Sequence, residues 1–204
     1  MRGKIKQNLH IVLLVVLLIL SALYMLYWGT QKRGFHVDEM YSLMDMSGNV
    51  PRRARDTVDF YNTWHDASGL YRAVSVSRDN AFSYNVKNNA FFILLHTAYS
   101  FYPDVFSIWP AIILNIVFYI GTLIVLYMLT LILIDNKYLA LLPCLLWGIS
   151  NAAIEVVVNI RMYTMLVFFS TLITYLIFIT INQNHRKWKF WVYSSLIVGL
   201  LLGY

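Results

Sequence analysis

The chain has 204 residues, of which 59% are hydrophobic and 13% charged, with a formal net charge of +6. A soluble domain is nearer half apolar and a quarter charged, so a soluble globular reading is excluded. The basic balance calls for no nucleic acid, because much of it lies in short loops flanking apolar runs. The single cysteine, Cys144, excludes an intrachain disulfide and a cysteine-based metal site.

In chain order, Leu9–Trp28 is a run of 20 residues without Asp, Glu, Lys or Arg, about the length that crosses the hydrocarbon core. The basic start "MRGKIKQNLH" would suit a signal peptide, but the run is longer than a typical signal core and no small-x-small cleavage site ends it. An uncleaved anchor is expected. Arg2, Lys4 and Lys6 precede it, which places its N-terminus in the cytoplasm by the positive-inside rule. Residues 29–107 are then an outer loop holding most of the acidic residues. It opens with "GFHVDEMYS", where His36, Asp38 and Glu39 sit close to the first span. "VDEMYSLMDMSGN" carries an apolar stripe of Val37, Met40, Tyr41 and Met44 before Gly48, which predicts a short amphipathic helix. Further on, "NNAFFILLHTAYSFYP" places Phe91, Leu94, Leu95, Ala98 and Phe101 at helical spacing, with Asn89, His96 and Ser100 on another face. Asn88 or Asn89 can cap this segment and Pro103 helps end it. Both helices are expected to lie in the membrane interface.

Val105–Ile134 is free of charge for 30 residues, and a second span is expected over 108–134. After Asp135, Asn136 and Lys137 come 44 residues, Tyr138–Ile181, interrupted only by Glu155 and Arg161. A charge at the bilayer centre costs roughly 2.5–3.5 kcal/mol. Placing both charges at a surface divides the stretch into spans at 138–155 and 162–181 and puts Glu155–Arg161 outside. The loop "NQNHRKWK" is then inner, and 190–204 begins a fifth span that stops without a polar exit, which suggests the N-terminal part of a longer chain. The expected fold is an all-α integral membrane bundle of about five spans, with one large first outer loop, treated as a single membrane domain over 1–204. Asp38, Glu39, His96, Asn159, Arg161 and Tyr163 would share its outer face.

This order of features resembles the GT-C superfamily of membrane glycosyltransferases, near the protein O-mannosyltransferase and glycosyltransferase family 39 type. Four elements carry the resemblance: Asp38-Glu39 after the first span; "FFILLH", ending in His96, in the outer loop; Arg161-Met162-Tyr163 in "NIRMYTML"; and "WKFWVYSSLIVGLLLGY" at the end. The chain departs from the pattern where Lys87, Asn88, Asn89 and Ala90 replace a His-Pro-Pro-Leu segment, and where Asn159 stands in place of a glutamate two residues before the arginine. The resemblance implies transfer of a sugar, with inversion, from a polyprenyl-phosphate donor to an acceptor hydroxyl at the outer face of a bacterial plasma membrane. The acceptor would be an envelope glycan, lipid or protein, and membrane lipids would surround the chain.

An acceptor hydroxyl needs a base within hydrogen-bond reach. Asp38 is the candidate, with Glu39 assisting, orienting the acceptor or joining Asp38 at a divalent cation; no cofactor is otherwise indicated. The structural alternative is that Asp38 caps a helix starting near Glu39, with Glu39 adding favourable charge to its N-terminus. Arg161 can pair bidentately with the donor phosphate, and Tyr163 can stack on or hydrogen-bond the sugar. Alternatively Arg161 forms a salt bridge with a loop carboxylate such as Glu155, or snorkels to headgroups. His96 and Lys87 are further substrate-binding candidates, Lys87 doubling as a headgroup anchor. His36 and His96 have weak claims as metal ligands, since no His-x₃-His spacing is present. A transporter, whose polar groups would line a path within the spans, and an inactive or accessory membrane protein are the rival readings. Cysteine substitutions at positions 38 and 159 are expected to react with an impermeant thiol reagent from the same, outer side of the membrane. Labelling from opposite sides would overturn this topology.

Overall fold

The structure is a computed structural model that describes residues 8–47, 89–101, 107–183 and 194. The described residues form α-helices joined by short turns, with no strand among them. The helices are α1 (Leu9–Gln31), α2 (Val37–Ser47), α3 (Asn89–Ser100), α4 (Trp109–Ile134), α5 (Leu141–Gly148), α6 (Asn151–Val158) and α7 (Tyr163–Gln183). Two of them, α1 and α4, are long and apolar enough to cross a membrane, the mark of a membrane protein. The pair α5–α6 would make a third crossing if taken as one bent span. Length and composition thus mark two or three of the expected spans among the described residues. The stretch expected to span over 190–204 lies outside those residues except for Ser194.

The bundle is built around α4, which packs against α1, α3, α5, α6 and α7. Helix α1 is apolar on all sides. Ser21, Met25 and Gly29, spaced by four, are buried, the first and last of them small, while Val16, Ile19, Leu20 and Leu23 point outward. Small residues at such spacing let helix backbones approach in lipid. At Gly29 a Cβ would lie 3.1 Å from the Trp109 ring and 3.3 Å from Ile112, which pins the end of α1 to the start of α4. At the opposite end the His10 and Tyr138 rings meet edge to face at 6.5 Å. The two helices therefore run antiparallel.

The stretch expected to form one span over 138–155 contains a break. Helix α5 ends at Gly148, α6 starts at Asn151, and their axes differ by 63°. The break sits at the depth of Ser21, midway along α1: a Cβ at Gly148 would come within 2.9 Å of the Ser21 hydroxyl and 3.4 Å of the Tyr119 hydroxyl. Non-helical backbone at such depth needs partners from the protein, and they are present. Tyr119 donates to the Gly148 carbonyl at 2.8 Å, and the Ser150 hydroxyl both donates to Trp147 O and accepts from Ala153 N as the N-cap of α6.

Two apolar clusters fill the bundle. One gathers Met25, Tyr119, Leu123, Cys144, Ala153 and Val157 around the break. The other, at the Gln31 end, gathers Leu43, Phe91, Phe92, Leu95, Ala111, Ile160 and Met165, with Phe118 and Phe169 against it. Helix α7 lies so close to α4 that a Cβ at Gly121 would stand 2.7 Å from the Phe168 ring. Gly121→Val is expected to cost about 1–3 kcal/mol by overpacking this contact, read as a lowered thermal midpoint of the detergent-solubilised protein. An unchanged midpoint would contradict the packing.

Candidate active site

Where α1 ends, Lys32 adopts an extended conformation as C-cap, its N–H bonded to Gly29 O at 3.3 Å. Five residues later α2 starts. Its N-cap is His36: the Glu39 carboxylate, at the third helical position, accepts from the His36 backbone N–H at 2.7 Å, and His36 Nδ1 accepts from Asp38 N at 3.3 Å. This is the reciprocal arrangement of a capping box, with an imidazole in place of a hydroxyl. The expectation that Asp38 caps the helix is corrected, because the helix starts one residue earlier, at Val37. Asp38 occupies the second helical position, where its carboxylate is left free.

The face that α2 turns inward carries Glu39, Ser42 and Leu43, while Val37 of the expected apolar stripe is exposed. The inward face is set by Glu39, whose carboxylate is 1% exposed and fully occupied. Lys32 Nζ donates to both oxygens, at 2.7 and 3.0 Å. The His36 N–H takes one oxygen, and the backbone N–H of Ile160, 121 residues further on, takes the other at 2.7 Å. Lys32 is itself 7% exposed and lies 5.6 Å from the centroid of the Phe35 ring. Burying a carboxylate is tolerable only when it is paired and its lone pairs are filled; here both conditions hold. Glu39, expected beside Asp38 as an acid–base or cation-binding group, is corrected to a structural anchor. Its oxygens have no free side from which to reach a substrate.

The turn 159–161 that Glu39 holds is gripped from two further directions. Asn115, fully buried in α4, donates through Nδ2 to Val157 O at 3.0 Å and to Asn159 O at 2.8 Å. Thr164 donates to Val156 O at 2.6 Å. The clamp aims Arg161 back at α2. Its Nη1 donates to Asp38 O at 2.9 Å and to the Ser42 hydroxyl at 3.3 Å, and its Nη2 stands 3.9 Å from the Asp38 carboxylate. The guanidinium lies 5.7 Å from the Tyr163 ring centroid. Arg161 Nε is buried with no hydrogen-bond partner. The Asp38 side chain is half exposed, and Tyr163 is exposed. The loop carboxylate beside Arg161 is that of Asp38, while Glu155 is exposed on α6.

Asp38, Arg161 and Tyr163 are thus brought to one surface, at the end of the bundle where α1 finishes and α4 begins. His96 is not on an open polar face. It is buried on the side of α3 that carries Phe92 and Tyr99, since α3 packs against both α2 and α4 and has two covered sides. Tyr99 lies near the anchor: burial first, and then the charge of Glu39, push its phenol well above the ordinary range, so it stays protonated. Lys87 lies outside the described residues. Among the described residues no group of three or more His, Cys, Asp or Glu side chains is placed to hold a metal ion. The expectations passed over Lys32 and Asn115, although a polar residue inside an apolar run, as Asn115 is, was a signal available in the sequence.

No family model, curated protein or solved structure matches the chain. Asn115→Leu is expected to remove the side-chain donor from Val157 O and to leave Asn159 O with the N–H of Arg161, at a cost of about 1–3 kcal/mol. Thr130→Val, which removes only a bond back to Leu126 O within its own helix, is expected to be nearly neutral. The two are compared by thermal melting in detergent, and equal midpoints would contradict the clamp.

Proposed function

We propose that the chain is part of a GT-C type membrane glycosyltransferase, and that Asp38 is its catalytic base. One observation supports the reading above the others. A half-exposed carboxylate and a partly exposed arginine, 123 residues apart, are held side by side at one end of a membrane bundle. That end is assigned to the outer face of a bacterial plasma membrane, with the N-terminus cytoplasmic.

In this reading a polyprenyl-phosphate sugar lies with its tail in the bilayer and its phosphate near Arg161. Asp38 takes the proton of the acceptor hydroxyl as the oxygen attacks the anomeric carbon. The bond from that carbon to the phosphate oxygen breaks in the same displacement, with inversion, and the bonding pair leaves on the polyprenyl phosphate. Negative charge grows on the leaving phosphate, where a fixed guanidinium stabilises it. Tyr163, exposed beside the arginine, offers a ring for the sugar. Asp38 is free for this role because Glu39 supplies the cap bond and the buried ion pair. The clamp by itself would serve a non-catalytic membrane protein equally well, and the base assignment separates the two readings.

Asp38→Asn is expected to lower sugar transfer from a polyprenyl-phosphate hexose by about 10²–10⁴-fold, measured as polyprenyl phosphate released in membranes. Its thermal midpoint should stay nearly unchanged, because among the described residues the carboxylate's ion-pair partners stand no closer than 3.9 Å. Full activity in this variant would remove Asp38 from the mechanism.

A further inference from the structure

Four charged groups meet at the Gln31 end, and they do not pair as proximity in sequence would suggest. Asp38 and Glu39 are neighbours, yet they face different cations. Glu39 is taken by Lys32 at 2.7 Å, and Asp38 stands 3.9 Å from Arg161. The unequal distances matter. The Lys32–Glu39 pair is closed, with both members nearly inaccessible, so its charge cancels locally. The Arg161–Asp38 pair is loose, its carboxylate half in solvent, and Arg161 Nε has no partner. Glu39 is nonetheless next to Arg161 along the backbone, since its Oε1 accepts from the N–H of Ile160. A carboxylate in that place with no lysine on it would be a strong, poorly screened competitor for the guanidinium.

We infer that Lys32 is a positioning residue whose role is to neutralise Glu39, so that Arg161 remains open to an anionic phosphate. The inference rests on the phosphate-binding reading of Arg161 given above. Lys32 would not touch the ligand: with 7% of its side chain exposed and its ammonium held by two carboxylate oxygens, it has no route to one. Its effect on ligand affinity would run through Glu39 alone. A residue needed merely for folding would act whether or not Glu39 carries charge, and this difference makes the inference testable.

The probe is farnesyl phosphate, titrated calorimetrically into the full chain in detergent micelles, with helical content and elution volume confirming the fold of each variant. Lys32→Met is expected to weaken binding at least tenfold. In a Glu39→Gln background the same change is expected to alter the dissociation constant less than threefold, because no carboxylate remains to be neutralised. An unchanged affinity in Lys32→Met, or a further tenfold loss on adding it to Glu39→Gln, would overturn the role of Lys32 while leaving the phosphate site standing. A wild-type chain that binds no farnesyl phosphate would instead sink the functional reading and this inference with it. Should Lys32→Met not fold, the comparison of Glu39→Gln with the double variant decides the matter by the same threefold and tenfold limits.

Discussion

A single buried carboxylate organises the Gln31 end of this protein. Glu39 accepts from an ammonium on the end of α1, from a backbone N–H at the start of α2, and from the backbone N–H of Ile160 before α7. The α1–α2 junction and a turn 121 residues further on are tied to two oxygen atoms. Each bond is charge-assisted and therefore short and strong, and removing either charged partner would leave the other uncompensated in an apolar setting. Breaking a buried pair in this way typically costs about 3–5 kcal/mol. The geometry of Asp38 and Arg161 is inherited from this tie, for each lies one residue from a group that Glu39 holds or is.

The rest of the bundle protects the tie from lipid and from slack. Helix α4 carries Asn115 to the 159–161 turn and Tyr119 to the break between α5 and α6. Both are polar side chains inside an apolar helix, and both satisfy backbone carbonyls that a continuous helix would have satisfied itself. A broken helix is costly in a bilayer unless neighbours fill the freed groups. The break changes the direction of the chain by 63° on the way to Arg161, which a straight span could not do. Phe91, Phe92 and Leu95 of α3 pack with Leu43 of α2 and with Ile160, whose N–H the anchor holds, in one apolar cluster.

The two adjacent acids are used differently by the fold. The cap and the ion pair take Glu39 out of circulation, and Asp38 keeps an exposed carboxylate on a rigid helix start. His36, whose metal-binding claim was weak, contributes as the cap that fixes where α2 begins. Arg161 is held by a carbonyl and a hydroxyl instead of by a close carboxylate, so most of its charge remains uncommitted.

The amino-acid sequence alone determined the membrane class, the first long apolar helix, the span starting near Trp109, and the meeting of positions 38 and 161 on one surface. Run length and the cost of burying charge dictate all of these, and both are local properties of the chain. It left open which of Asp38 and Glu39 is occupied by the fold, and it did not show that α2 has a buried polar face. Hydrophobic periodicity scores Glu39 as outward, since the pattern carries no record of a lysine seven residues before it or of an amide 121 residues after it. The burial of His96 and the break at Gly148–Ser150 were likewise hidden, because each depends on what packs against the segment. Only the tertiary structure could decide these, because a buried charge is stable solely through its partners, and the partners of Glu39 are brought together by folding.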